Sequence, residues 1–379
     1  MRHDMDLYEP SFEAIRSGAK TIEMRLNDEK RQKIRVDDLV FFHSRANEYD
    51  VLRCKVKSLR KYADFYELYP YYDKKVIGYS ENEKADPADM YAYYRKEDIE
   101  RYGALAIEVE LLDDIYLCDG HMHLEYGPLN KEYALQFIEE GIRKGLDEVD
   151  ILDHTHRFKE FKECYDHLRI YEKQDEWLNK PTKFCSSLAE YYDLIKEIRQ
   201  LDLPIRVKFG LEVCYTSNTA ELLKEILKDV KLDFLTGAIH SIDSILYDMS
   251  FSRELLWDIR DPDEIYKRYY EEVLALVRSG LFDRLAHPDQ IKLLNIYPAY
   301  DLSETYEKIA EALKQKDMYG ENNSGIRYRY GHHDLGTGEE LLKAFGRHGV
   351  GIICASDAHK PEDVGTLIYE NTLRNKEVI

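Results

Sequence analysis

IYLCDGHMH, residues 115–123, is a short apolar run that ends in two histidines one residue apart. Side chains on an extended strand alternate with period two, so His121 and His123 fall on one face at the strand's end. Further along the chain the same order recurs: an apolar strand, a polar loop, an amphipathic helix. Strands are expected at 116–120, 149–154, 205–213, 234–240, 284–287 and 350–357, and helices at 132–145, 188–201, 263–280 and 339–349. About seven such units favour an α/β barrel over a doubly wound sheet.

The histidines fall at particular places in that barrel. His121, His123, His154, His240, His287 and His359 each sit at or just past the C-terminal end of an expected strand, and Glu212 and Asp357 occupy equivalent places. In an α/β barrel all these ends face one rim. Asp357 and His359 repeat the two-residue spacing of His121 and His123. Any one of these histidines reads as a hydrogen-bonded loop residue. Together they would be a costly polar accumulation unless cations compensated them, so a polynuclear metal centre is expected. Carboxylate and imidazole donors suit zinc, iron or manganese without choosing among them.

HMH (121–123), LDHTH (152–156), GLEV (210–213), GAIHSID (237–243), LAHPD (285–289), ENNSG (321–325) and SDAHKPEDVG (356–365), in that order, resemble the motifs of the polymerase-and-histidinol-phosphatase (PHP) family, and more narrowly its histidinol-phosphatase branch. The resemblance implies a distorted (β/α)7 barrel over residues 114–379 that holds two or three divalent ions, zinc, manganese or iron. By that resemblance His121, His123, Glu212 and Asp357 hold one ion. Glu212 bridges to a second, completed by His240 and His287, and His154 and His359 hold a third. Many members carry another histidine a few residues past HxH; here Glu125 is the nearest substitute.

The activity implied is phosphate release from L-histidinol phosphate, in histidine biosynthesis. A bridged pair of ions acidifies a bound water and clamps the attacking and departing oxygens at phosphorus, so hydroxide serves as nucleophile and no serine or cysteine is required. Arg157, Arg253 and Arg327 are candidates for the phosphate fork. His156 and the pair His332–His333 are candidate outer-shell or leaving-group donors, so His156 and His333 join Glu212 as catalytic candidates. Two other readings stay open: a PHP phosphoesterase acting on a nucleotide or another small ester, and an RNA-binding regulator whose barrel merely holds metal.

Residues 1–113 read differently. A helix at 10–18, strands near 37–44, 50–57 and 105–112, and a polar tract at 80–100 suit a small half-open β-barrel with helices. SGAKTIEMRLNDEKRQKIRVDDLVFF (17–42) resembles the ASCH domain, an α+β relative of PUA-type modules, through Gly18, Lys20, Glu23 and Arg25. The resemblance implies a cleft for RNA or a nucleoside, touched by Lys20, Glu23 and Arg25. Read as residues alone, the three also suit an ion-paired structural cluster.

Composition limits the remaining classes. Of 379 residues 44% are hydrophobic and 34% charged, which excludes a disordered or collagen-like chain. Lys and Arg number 54 against 74 Asp and Glu, a net charge of −20 that argues against coating nucleic acid or anionic membrane over the whole surface. Residues 1–60, with 13 basic against 11 acidic side chains, are the mildly basic part. The longest apolar runs, LVFF and VGIICA, are far short of a membrane span, and no apolar leader opens the chain. Six cysteines without a CxxC are expected to be reduced, in a cytoplasmic protein.

Overall fold

The computed structural model describes residues 2–47, 49–112 and 115–378. The chain forms two compact units, residues 1–116 with 142–145, and residues 117–141 with 146–379. The boundary expected between 113 and 114 lies outside the described residues.

The first unit is built on a five-stranded sheet: β1 (Arg2–Leu7), β2 (Ile22–Leu26), β3 (Leu39–Ser44), β4 (Val51–Tyr62) and β5 (Ala104–Leu111), in the order β1-β3-β4-β5-β2. Only the β1–β3 pair is parallel. Alternation along β5 explains the two-sided core. Leu105, Ile107 and Val109 pack with Phe12, Val40 and Phe42, whereas Ala104 and Ala106 face Met24, Phe65, Leu68 and Ile99. The second face is covered by residues 65–102, which include the helices Phe65–Leu68 and Lys96–Tyr102. The polar tract at 80–100 is therefore a half-wetted cover. Strands β1 and β2 go beyond the three expected, because each mixes charged residues into a short run.

The second unit carries seven parallel strands: β6 (Cys118–Met122), β7 (Glu148–His154), β8 (Arg206–Cys214), β9 (Phe234–Ala238), then, after a small hairpin of β10 (Ser241–Ile242) and β11 (Ile245–Leu246), β12 (Arg284–Leu285), β13 (Tyr319–Asn323) and β14 (Ile352–Ala355). Their order is β14-β13-β12-β9-β8-β7-β6. The ends meet where Met122 bridges to Ala358. There Asp357 N donates to His121 O (2.9 Å) and His123 N to Ala358 O (2.7 Å). Gly120 permits this approach, since a Cβ there would stand 2.2 Å from Ile353 Cγ2. The result is the nearly closed (β/α)7 barrel that the motifs implied.

Helices Lys131–Arg143, Leu188–Ile198, Pro262–Ser279 and Glu339–His348 match the expected periodic segments. Their ends follow local chemistry. Ser187 and Glu190 form a capping box, and Asp261 caps a helix that Gly280 ends in the left-handed conformation (φ 67°). No helix among the described residues is long and apolar enough to cross a membrane.

Candidate metal centre

Register brings the ligands to one rim. In the parallel β7–β8 pair His154 is the partner of Glu212, and β9 and β12 stop just short of His240 and His287. Two candidate ligands have positive φ, His287 at 26° and Asp357 at 58°. L residues adopt this conformation rarely, and the surroundings enforce it. His287 N donates to Glu321 Oε2 (3.1 Å), while the Asp357 carbonyl accepts from Arg329 Nη1 (3.2 Å) and His359 Nδ1 (2.9 Å).

Glu212 is the centre of the cluster and only 1% exposed. Its Oε2 lies 3.2, 3.3 and 3.0 Å from the Nε2 atoms of His121, His123 and His154, and its Oε1 lies 2.9 Å from those of both His240 and His287. Asp357 Oδ1 is 3.3 Å from His123 Nε2. Glu125 closes the other side, 3.4 Å from His154 Nδ1 and 3.3 Å from His359 Nε2. Burial opposes the charge on Glu212, yet His154, His121 and His240 hold its carboxyl well below the usual carboxylate range. Burial, reinforced by His154 and His359, pushes the His123 imidazole well below its usual range.

This donor set fits divalent cations. Five imidazole nitrogens face one carboxylate that offers about four lone-pair sites. The Nε2 atoms of His121 and His123 stand 2.8 Å apart, and the buried Nδ1 atoms of His123 and His287 have no hydrogen-bond partner. Hydrogen bonds alone cannot satisfy that arrangement.

Outer groups orient the rings. Glu321 Oε1 accepts from His121 Nδ1 (2.8 Å) and Asp248 Oδ2 from His240 Nδ1 (3.2 Å), which turns the Nε2 lone pairs inward. Arg329 holds Asp357 Oδ2 at 2.8 Å. Neither Glu321, Asp248 nor Arg329 was singled out in the sequence. A glutamate inside the buried strand GENN was the available signal for Glu321; the other two come from loops without periodicity.

A cavity of about 330 Å³ opens over the cluster, lined among others by Tyr126, His156, Trp177, Lys183, Arg329 and Tyr330. The three arginines proposed for the phosphate fork do not line it. Buried Arg157 is bound to Asp153 (2.9 Å) and the Gly127 carbonyl (3.0 Å), Arg253 is exposed beside Asp258, and Arg327 donates to the carbonyls of His332 and His333. His333 is exposed, away from the cavity. His332 is buried, with Nδ1 accepting from Asp334 N and Nε2 bonded to Tyr297. His156 does line the cavity, with its ring nitrogens 3.1–3.2 Å from the Lys183 ammonium.

In the first unit Lys20, Glu23 and Arg25 do come together. Glu23 takes Lys20 Nζ at 2.8 Å and Arg25 Nε at 2.6 Å, and Lys20 also donates to Ser11. Burial opposes ionisation of Glu23, but the two cations hold its carboxyl down. The trio forms part of the wall of a cavity of about 850 Å³ that also meets Arg31, Arg45, Tyr79 and Tyr93.

Comparison with known proteins agrees with both units. A PHP domain model matches residues 119–325 and an ASCH domain model residues 5–113. The "Probable histidinol-phosphatase" of Deinococcus radiodurans is 24% identical over 255 residues, 66% of this chain and 88% of that protein. Its namesake in Schizosaccharomyces pombe is 22% identical over 240 residues, 60% of this chain and 75% of that one. The crystal structure of histidinol phosphate phosphatase from Lactococcus lactis, complexed with zinc, L-histidinol and phosphate, shares the fold at 18% identity, with a TM-score of 0.51 over 69% of this chain and 93% of that chain. With its barrel motifs, its rim of clustered histidines and carboxylates and more than half its length matched, this chain belongs to the PHP domain family and carries an ASCH domain before the barrel.

Proposed function

We propose that the barrel is a metal-dependent phosphomonoesterase and that L-histidinol phosphate is its substrate. The observation that carries this reading is Glu212, whose two oxygens face two separate sets of imidazoles at the base of a cavity with cationic side chains in its wall. His121, His123, Glu212 and Asp357 would hold one divalent ion, Glu212, His240 and His287 a second, and His154, His359 and Glu125 a third. Zinc, manganese or iron suits these donors. When bound, such ions supply Lewis acidity and an acidified water at neutral pH.

The remaining work belongs to the chain. Glu321 keeps the proton of His121 on Nδ1, Asp248 does the same for His240, and Arg329 leaves Asp357 Oδ1 turned toward His123. His156 is in the cavity, outside the five imidazoles around Glu212; burial and the Lys183 ammonium push its imidazole well below the usual range, so it would meet the leaving oxygen as a neutral N–H hydrogen-bond donor. Unpaired cysteines fit a reducing cytoplasm. Glu212→Gln and His121→Ala should each lower metal stoichiometry and cut turnover by about a thousandfold or more, since each removes an inner donor. Metal analysis beside phosphate release tests this; near-normal activity in either variant freed of metal would defeat the mechanism.

A second reading concerns the ASCH unit. Its large cavity, with Lys20 and Arg25 beside tyrosines, suits a nucleoside or a short RNA, phosphate meeting cation and base meeting ring. Lys20→Ala with Arg25→Ala should then weaken binding of short RNAs or nucleosides at low salt and leave phosphate release unchanged. Wild-type protein that binds neither would reduce the trio to a structural cluster.

A further inference from the structure

Among the cations that line the barrel cavity, Arg329 is paired with Asp357 and Lys180 is exposed. Lys183 differs from both. It is drawn into the wall, and among the described residues no carboxylate lies within ion-pair distance of it. Its polar contact is the His156 ring, whose Nε2 and Nδ1 lie at 3.1 and 3.2 Å, and its ammonium lies 4.2 Å from the centre of the Trp177 ring. A cation held this way, in a protein of net charge −20, lacks an anion.

The backbone is shaped to put it there. Phe184, the next residue, has φ 50°, a conformation that a bulky side chain rarely adopts. The strain is held by a short parallel clamp: Phe184 N donates to His156 O (2.7 Å), Ser186 N to Arg157 O (3.1 Å) and Lys159 N to Ser186 O (2.9 Å). That clamp ties the lysine to the segment that follows His154, so Lys183 and the ligand rim share one rigid frame.

We propose that Lys183 binds the phosphoryl group of the substrate, exchanging its contact with His156 for the phosphoryl oxygens, and that it selects doubly charged monoesters over diesters. This rests on the phosphomonoesterase reading above. The half-buried ammonium has an imidazole and an indole ring beside it but no anion, which leaves that charge to be satisfied when a dianion enters. Arg157, the cation adjacent to the ligands in sequence, is already consumed by Asp153.

The test uses the full-length, metal-loaded protein with inorganic phosphate in calorimetry, and p-nitrophenyl phosphate and bis(p-nitrophenyl) phosphate in turnover. Lys183→Met should weaken phosphate binding and raise KM for the monoester by about 10- to 100-fold. It should change kcat by less than it changes KM, leave metal content unchanged, and weaken diester turnover by less than monoester turnover. Lys183→Arg should restore most of the affinity. Should Lys183→Met melt early, Lys183→Gln and the arginine variant carry the same comparison. Wild-type protein that binds phosphate and cleaves monoesters while Lys183→Met does so equally well overturns this inference alone. Wild-type protein that neither binds phosphate nor cleaves monoesters overturns the phosphomonoesterase reading, and this inference with it.

Discussion

A carboxylate facing five imidazoles is not a stable hydrogen-bonded group, and the side chains around Glu212 do not satisfy one another by hydrogen bonds alone. The cluster was legible because its members stand at strand ends: His-X-His at 121–123, Glu212 in GLEV, Asp357 and His359 two apart. Lys183 was not legible. It is one lysine in the polar stretch NKPTKF, and nothing in its spacing says that Phe184 will turn it inward. Arg157 misled for the opposite reason, because proximity to His154 in sequence does not reveal that buried Asp153 binds it first. Lys183 also sets a pH dependence. Burial pushes its ammonium down to about 8, with Lys180 helping and Glu125, Cys185 and Asp153 opposing; His156 and Trp177 are its other neighbours. Below that pH the side chain is charged and holds a dianion, and above it the contact is lost. Competitive inhibition by inorganic phosphate should therefore weaken by about fivefold between pH 8 and pH 9 in the wild type. In Lys183→Arg the decline should be delayed; identical profiles would count against the assignment.

Strand order does what no single ligand can, because it brings β6 beside β14 although more than two hundred residues separate them. Asp119 secures that junction. Buried in β6, it accepts from Ser356 N (2.8 Å), Ser356 Oγ (2.6 Å) and Gly365 N (2.7 Å), so one carboxylate ties down the loop that carries Asp357 and His359. Burial alone raises the pKa of Asp119, and these donors work against the rise. Asp119→Ala would strand buried donors, and about 2–3 kcal/mol of stability should be lost. Denaturant melts would register that loss, with weaker metal retention alongside; an unchanged midpoint would mean the loop is held by other contacts. Elements of this kind were partly readable. The long amphipathic helices announced themselves by periodicity, whereas β1, β2 and β13 are short and mix polar residues into the strand, so hydrophobic pattern alone underweights them.

The whole molecule is acidic, yet its barrel cavity gathers Lys183 and Arg329 beside a rim of metal donors. A phosphate dianion approaching a protein of net charge −20 is repelled at long range; on the proposed reading it is held at that rim, where metal ions and the half-buried Lys183 ammonium would attract it. Each unit buries its own apolar residues and carries its own cavity, so the two proposed activities can be tested separately. What joins the levels is a single claim, that a metal-loaded barrel hydrolyses a small phosphomonoester. The most direct measurement is inorganic phosphate release by the metal-loaded protein across L-histidinol phosphate, nucleoside monophosphates and sugar phosphates. The account predicts metal-dependent release that is fastest with L-histidinol phosphate and is abolished by a chelator; a fully metallated protein that releases no phosphate from any of them would contradict it.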